Sequence, residues 1–108
     1  MKLRIISCFL LWLPIISYAQ KASSVQPTTV HIYRGANTFI FYATVNEGQP
    51  PTCSGLNRWA VKLDSTAAKE IISMVVSAKV SGRNISVLGD GTCDVSGQGY
   101  SIDALWIE

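Results

Sequence analysis

The sequence is poor in the residues that chemistry usually needs. Its 108 residues include one histidine, His31, and three cysteines. No two cysteines stand at C-x-x-C spacing, which argues against a redox pair. Zinc asks for about four ligands, and only His31 is there to accompany the cysteines. No nucleophile motif and no Ser-His-Asp order appear along the chain. Long apolar runs are missing too. A spanning helix needs about 20 apolar residues, and the longest apolar stretch here falls short and carries Pro14 near its end. A surplus of one charge is also absent once the first residues are set aside.

Those first residues carry the clearest signal. The chain opens MKLR, continues IISCFLLWLPII, and reaches the small residues Ser17 and Ala19. A basic start, a short apolar run and small residues make a secretory leader, with cleavage expected after Ala19 and Gln20 leading the mature chain. Cys8 lies inside the apolar run rather than at its end, which argues against a lipid acceptor. Lys2 and Arg4 leave with the leader, and the seven remaining Lys and Arg balance seven Asp and Glu. A neutral domain gives no footing for nucleic acid, whose binding draws on surplus cations. The sequence thus predicts an exported protein, periplasmic or secreted, that is not membrane-embedded after cleavage.

About 89 residues remain, near the size where a lone core is marginal. Cys53 and Cys93 are the only cysteines among them, and an even pair in an exported chain reads as a disulfide. Closing a loop of about 40 residues is worth roughly 4 kcal/mol by chain entropy. Around Cys93, the residues Asp90, Thr92 and Asp94 alternate about Gly91 and suggest calcium. An EF-hand loop counted from Asp90 would need glycine where Val95 stands and glutamate where Ser101 stands. No metal or cofactor is therefore expected, and the stretch reads as a glycine-rich turn held by the disulfide.

Along the mature chain, residues 20–26 are small and polar and read as a loose arm. Thr28–Gly35 and Thr38–Asn46 read as a hairpin around the turn at residues 34–37. The second of these strands is apolar on both faces, so something must cover its second face. Arg58–Leu63 alternates, with Trp59, Val61 and Leu63 on one side. Asp64 and Ser65 are candidate N-caps for a helix on which Ala68, Ile71, Ile72, Val75 and Ala78 form one stripe, closed by Gly82. Ile71, Ile72 and Val75 should touch the core. Arg83–Leu88 and Tyr100–Ile107 are two further strands, the last with Ile102, Ala104 and Trp106 on one face.

The predicted fold is mostly β with one helix. Its order, β-β-β-α-β-β, is that of an OB-like five-stranded antiparallel barrel, and an open sheet with one packed helix has the same order. The expected organisation is a leader over residues 1–19 and one small domain over 20–108.

The segment CSGLNRWAVKLDSTAAKEIISMVVSAKVSGRNISVLGDGTC resembles a group of small exported bacterial proteins of unassigned activity. The shared pattern rests here on Cys53, Arg58, Trp59, Leu63, Lys69, Ala78, Lys79, Gly82, Gly89, Gly91, Thr92 and Cys93. More remotely, it is similar to the receptor-binding B subunits of subtilase-cytotoxin and pertussis-like AB5 toxins. That second resemblance implies an OB-fold, a disulfide, pentameric rings and sialylated glycan ligands, and it carries over no sugar-contact residue.

Three functions compete. A binding module would present loops and a sheet face to a glycan or a protein, with Tyr33, Arg34, Asn37, Tyr42 and Tyr100 as candidate surface contacts, since aromatic rings stack on sugars and partner chains. A structural or assembly protein, a homo-oligomer without a small-molecule ligand, would use the doubly apolar strand as an interface. An enzyme is not expected. His31 sits alone on a strand, and Asp64, Asp90, Asp94 and Asp103 read as cap, turn and surface residues.

Overall fold

A computed structural model describes residues 19–94 and 96–108; the expected leader, apart from Ala19, lies outside the described residues. Its strands are β1 (Lys21–Val25), β2 (Val30–Tyr33), β3 (Thr38–Tyr42), β4 (Arg58–Lys62), β5 (Ile85–Cys93) and β6 (Tyr100–Ile107). One helix, α1 (Ala68–Ser81), separates β4 from β5. All six strands join one sheet in the order β1-β5-β6-β4-β3-β2. Every pair is antiparallel except β4–β6, which is parallel.

The sheet therefore has six strands, and the expected closed barrel of five is corrected. The reason lies in residues 21–25, which are a strand rather than a loose arm. Ala22 is fully buried, and the segment pairs with β5 from Lys21↔Leu88 to Val25↔Ile85. Its small polar residues hid this, because long-range pairing rather than apolar patterning makes the strand. The Asn46 side chain completes it. Its Oδ1 accepts the Ser23 N–H at 2.9 Å, and its Nδ2 donates to the Ser23 carbonyl at 2.9 Å. Pro27, which lacks an N–H, separates β1 from β2.

β1 and β2 are the two edges of the sheet, yet only residues 26–29 link them. That linker spans at most about 18 Å. A flat six-stranded sheet is about 24 Å wide. The sheet must curl until its edges approach. The C-terminal end of α1 lies under the linker. Gln26 Nε2 donates to the Gly82 carbonyl at 2.7 Å, and Lys79 Nζ donates to the Thr28 carbonyl at 2.7 Å.

The curled sheet wraps a core centred on Trp59. Its indole stacks on Phe41, meets Tyr100 edge-on at 5.1 Å, and donates Nε1–H to the Ala43 carbonyl at 2.9 Å. From α1, Ala68, Val75 and Ala78 are buried in this core, and Ile71 and Ile72 pack against it, as the helical stripe predicts. The helix closes as expected on Gly82, whose φ of 70° suits glycine and whose N–H reaches the Ala78 carbonyl. Its start differs. Ala67, at φ 61°, precedes the first turn, and no side chain caps it. Ser65 instead folds back, its hydroxyl donating to the Lys62 carbonyl at 2.6 Å.

Two faces also differ from the simple period. β6 carries an extra residue at Asp103, because Leu88 pairs with Ala104 while Gly89 pairs with Ile102. Ile102 then packs on the core with Leu105 and Ile107, and Trp106 turns outward, its ring 5.5 Å from Lys21 Nζ. On β3, Phe39 and Phe41 enter the core, while Ile40 is fully buried on the opposite face. Its cross-strand neighbours are His31 and Ala60, with Tyr33 and Lys62 diagonal to it and Tyr42 two residues along its own strand. Those side chains are placed to cover it.

Candidate functional site

β4 and β6 meet at one register point only, Trp59↔Tyr100. Gly99 makes that approach possible. A Cβ there would stand 2.6 Å from the Arg58 carbonyl oxygen and 3.2 Å from the Ala60 Cβ. Beyond Tyr100 the two strands leave each other's register, and a cleft of about 360 Å³ opens beside the seam. Ala60, Val61, Ile71 and Ile102 give it an apolar floor. Lys62, Ser65, Thr66, Ser101 and Asp94 supply its polar rim.

Each rim residue has a local reason for its place. Lys62 ends β4 and spends one of its three N–H donors on the Ala36 carbonyl, at 2.7 Å. Ser65 and Thr66 lie in the loop that turns from β4 into α1. Asp94 follows β5, where its carboxylate organises the β5–β6 turn by accepting the Ser96 N–H and hydroxyl and, at 3.0 Å, the Gly99 N–H. Ser101 lies next to Tyr100 on β6.

The seam is stapled at its other end. Cys53 and Cys93 form the expected disulfide, with Cα atoms 5.7 Å apart. Cys93 ends β5 rather than standing in a loop, and it pairs with Tyr100. Around it, the Ser54 N–H donates to the Gly97 carbonyl at 3.3 Å, and Arg58 Nη2 donates to Gln98 Oε1 at 3.1 Å. These contacts hold the β2–β3–β4 half against the β5–β6 half where the ladder is shortest.

The five expected surface contacts divide. Tyr33, Arg34 and Asn37 are exposed on the turn between β2 and β3. That turn lies beside the cleft, because the Leu63 N–H donates to the Asn37 carbonyl at 2.9 Å and Lys62 reaches Ala36. Asn37 takes φ 52°, a left-handed conformation that asparagine tolerates. Tyr42 lies at the far end of the hairpin, opposite Arg58, with the His31 ring 6.4 Å away. Tyr100 is corrected. It is 1% exposed, a core residue whose hydroxyl oxygen accepts the Asn57 N–H at 3.2 Å, and it cannot meet a ligand at the surface. Alternation places a residue on one face or the other, and only the curl of the sheet made this face the inside.

Lys62, Ser65, Thr66 and Ser101 were missed as a group. Ser65 read as a helix cap and Lys62 as a solvated strand residue, and nothing in the sequence marks where a strand ladder stops. Asp90, one strand over, has a pKa below its usual value. Burial acts to raise it, and hydrogen bonds from the Thr92 hydroxyl and N–H, the Ser101 hydroxyl and its own N–H outweigh that. The Thr92 hydroxyl and N–H stand 2.6 and 2.9 Å from Asp90 Oδ1.

Among the described residues, no helix is long and apolar enough to cross a membrane, and no three His, Cys, Asp or Glu side chains gather as metal ligands. A comparison with protein-family models, curated proteins and solved structures finds no match. The cleft itself can hold a ligand rich in hydroxyls. Ammonium and hydroxyl donors ring an apolar floor, and its volume lies within the usual range for small-ligand sites.

Proposed function

We propose that this chain is an exported, disulfide-pinned binding module that takes a glycan in the cleft beside the β4–β6 seam. The observation that carries the reading is the pairing of an apolar floor with a rim of Lys62, Ser65, Thr66 and Ser101. Sugar rings offer an apolar face edged by hydroxyls, and this site offers the complement. Tyr33, Arg34 and Asn37 on the adjoining turn extend the surface for a second sugar unit. The leader over residues 1–19 and the disulfide support export. The strand order supports the same reading, with β1 and β2 taken as two parts of one OB-like strand interrupted at Pro27. The resemblance to glycan-binding toxin subunits favours sugars over other hydroxylated ligands.

The test is a titration of the isotope-labelled domain with neutral and sialylated oligosaccharides, read by amide NMR shifts. Shifts clustered at Lys62, Ser65, Thr66 and Ser101, and lost in Lys62→Met, support the site. A panel that moves nothing at millimolar sugar, or that moves only Tyr42 and His31, refutes it.

A second reading is an assembly protein without a small ligand. Ile32 and Tyr33 favour it, since they are 60% and 50% exposed on β2, an edge strand with one side unpaired. The solution mass of the oxidised domain discriminates. A homo-oligomer supports assembly, and a monomer removes it.

A further inference from the structure

Gln20 is an unusual residue in this fold. Its side chain is fully buried, yet neither Nε2 nor Oε1 has a hydrogen-bond partner. Among the described residues, it is the only side chain with both a buried donor and a buried acceptor unpartnered. It is held in place by its backbone, whose carbonyl accepts the Gly89 N–H at 2.8 Å. The amide lies over Gly89, where a Cβ would stand 2.2 Å from Nε2. On the other side, a Cβ on Gly48 would stand 2.2 Å from the Ala19 carbonyl oxygen, and Ala19 bridges to Gln49. The Ala19–Gln20 bond is thus packed between two glycines.

The expected leader cleavage falls on that bond. We infer that Gln20 becomes pyroglutamate in the mature protein. This inference rests on the proposed cleavage after Ala19. Once Gln20 leads the chain, the lone pair of its free α-amine attacks its own Cδ. The N–Cδ bond forms, the Cδ–Nε2 bond breaks, and Nε2 leaves as ammonia with the proton released from the amine. No oxidant, reductant or second reactant is needed. Cleavage has to precede docking of this edge, because the folded bond is enclosed.

The surroundings favour the cyclic product. The side-chain amide lies fully buried over Gly89 with no partner, so a smaller, uncharged product fits the site. The lactam carries no charge. It also removes Nε2, an orphaned donor that gains nothing where it lies. The Gln20 carbonyl takes no part in the ring, so the bond from the Gly89 N–H survives.

Intact mass and N-terminal sequencing of the protein recovered after export test this directly. The expected result is a chain that begins at residue 20, is lighter by one ammonia, and is blocked to stepwise degradation. Gln20→Ala, processed at the same bond, should show full mass and a free amine. A wild-type chain beginning at Gln20 with full mass and a free amine overturns the modification and leaves the leader reading standing. A chain that begins elsewhere overturns both.

Discussion

Removing the disulfide is the perturbation whose size follows most directly from the structure. Cys53 and Cys93 are 40 residues apart in sequence. Loop closure of that length removes about 13 cal/mol/K from the unfolded chain, or about 4 kcal/mol at 25 °C. For a domain of this size each kcal/mol shifts the melting temperature by about 4–8 °C. Replacing both cysteines by serine should therefore lower Tm by roughly 15–30 °C. The location argues for the upper part of that range. β4 and β6 share a single register point, and the disulfide joins their flanks beside it. Its loss removes a staple from the folded state as well as a restraint from the unfolded one. The assay is thermal unfolding followed by circular dichroism, on the oxidised wild type, the reduced wild type and the double variant. The last two should melt together. A double variant within about 5 °C of the oxidised wild type would refute both the entropy estimate and the role given to the seam.

Two further outcomes follow from single residues. Gly99→Ala places a Cβ 2.6 Å from the Arg58 carbonyl oxygen, a backbone atom with no rotamer to yield. It should cost about 1–3 kcal/mol in denaturant unfolding, as overpacking does, and shift the amides of Trp59 and Tyr100 most; an unchanged midpoint would show that the strands part without cost. Asp90 has a lowered pKa in the fold, so the unfolded chain binds more protons as pH falls. Its stabilising contribution is present above the ordinary carboxylate pKa and fades as pH drops through the folded value. The stability gap between wild type and Asp90→Asn should thus widen as pH rises through the lowered folded value and level off above the ordinary carboxylate range, and a gap independent of pH would refute the hydrogen-bond account.

Much of the fold was legible because its signals are local. The α1 stripe of Ala68, Val75 and Ala78 repeats at helical spacing, and Gly82 closes it with a backbone conformation that other residues resist. Trp59 and Val61 alternate into the core because one face of β4 is buried. The pairing of Cys53 with Cys93 followed from the count of cysteines left after the expected leader. The unreadable parts share a different cause. Ser23 and Ser24 lack any apolar period, and β1 exists because β5 offers it an open edge. The extra residue at Asp103 reverses the faces of Ala104 and Trp106, and nothing in YSIDALWI marks it.

The candidate site lies on the far side of that divide. The sequence by itself determined which residue types were available: one histidine, three cysteines, and nine Lys and Arg against seven Asp and Glu. It also determined the helix and most strands, since period and capping act over a few residues. Only the tertiary structure decided that the β4–β6 ladder stops after Trp59↔Tyr100, and so that Lys62, Ser65, Thr66 and Ser101 face one cleft. It decided, too, that Tyr100 is core while Tyr33 is surface. The physical reason is that a strand's two faces are equivalent in sequence. Which face is inside depends on how the sheet curls, and four residues between its two edges set that curl.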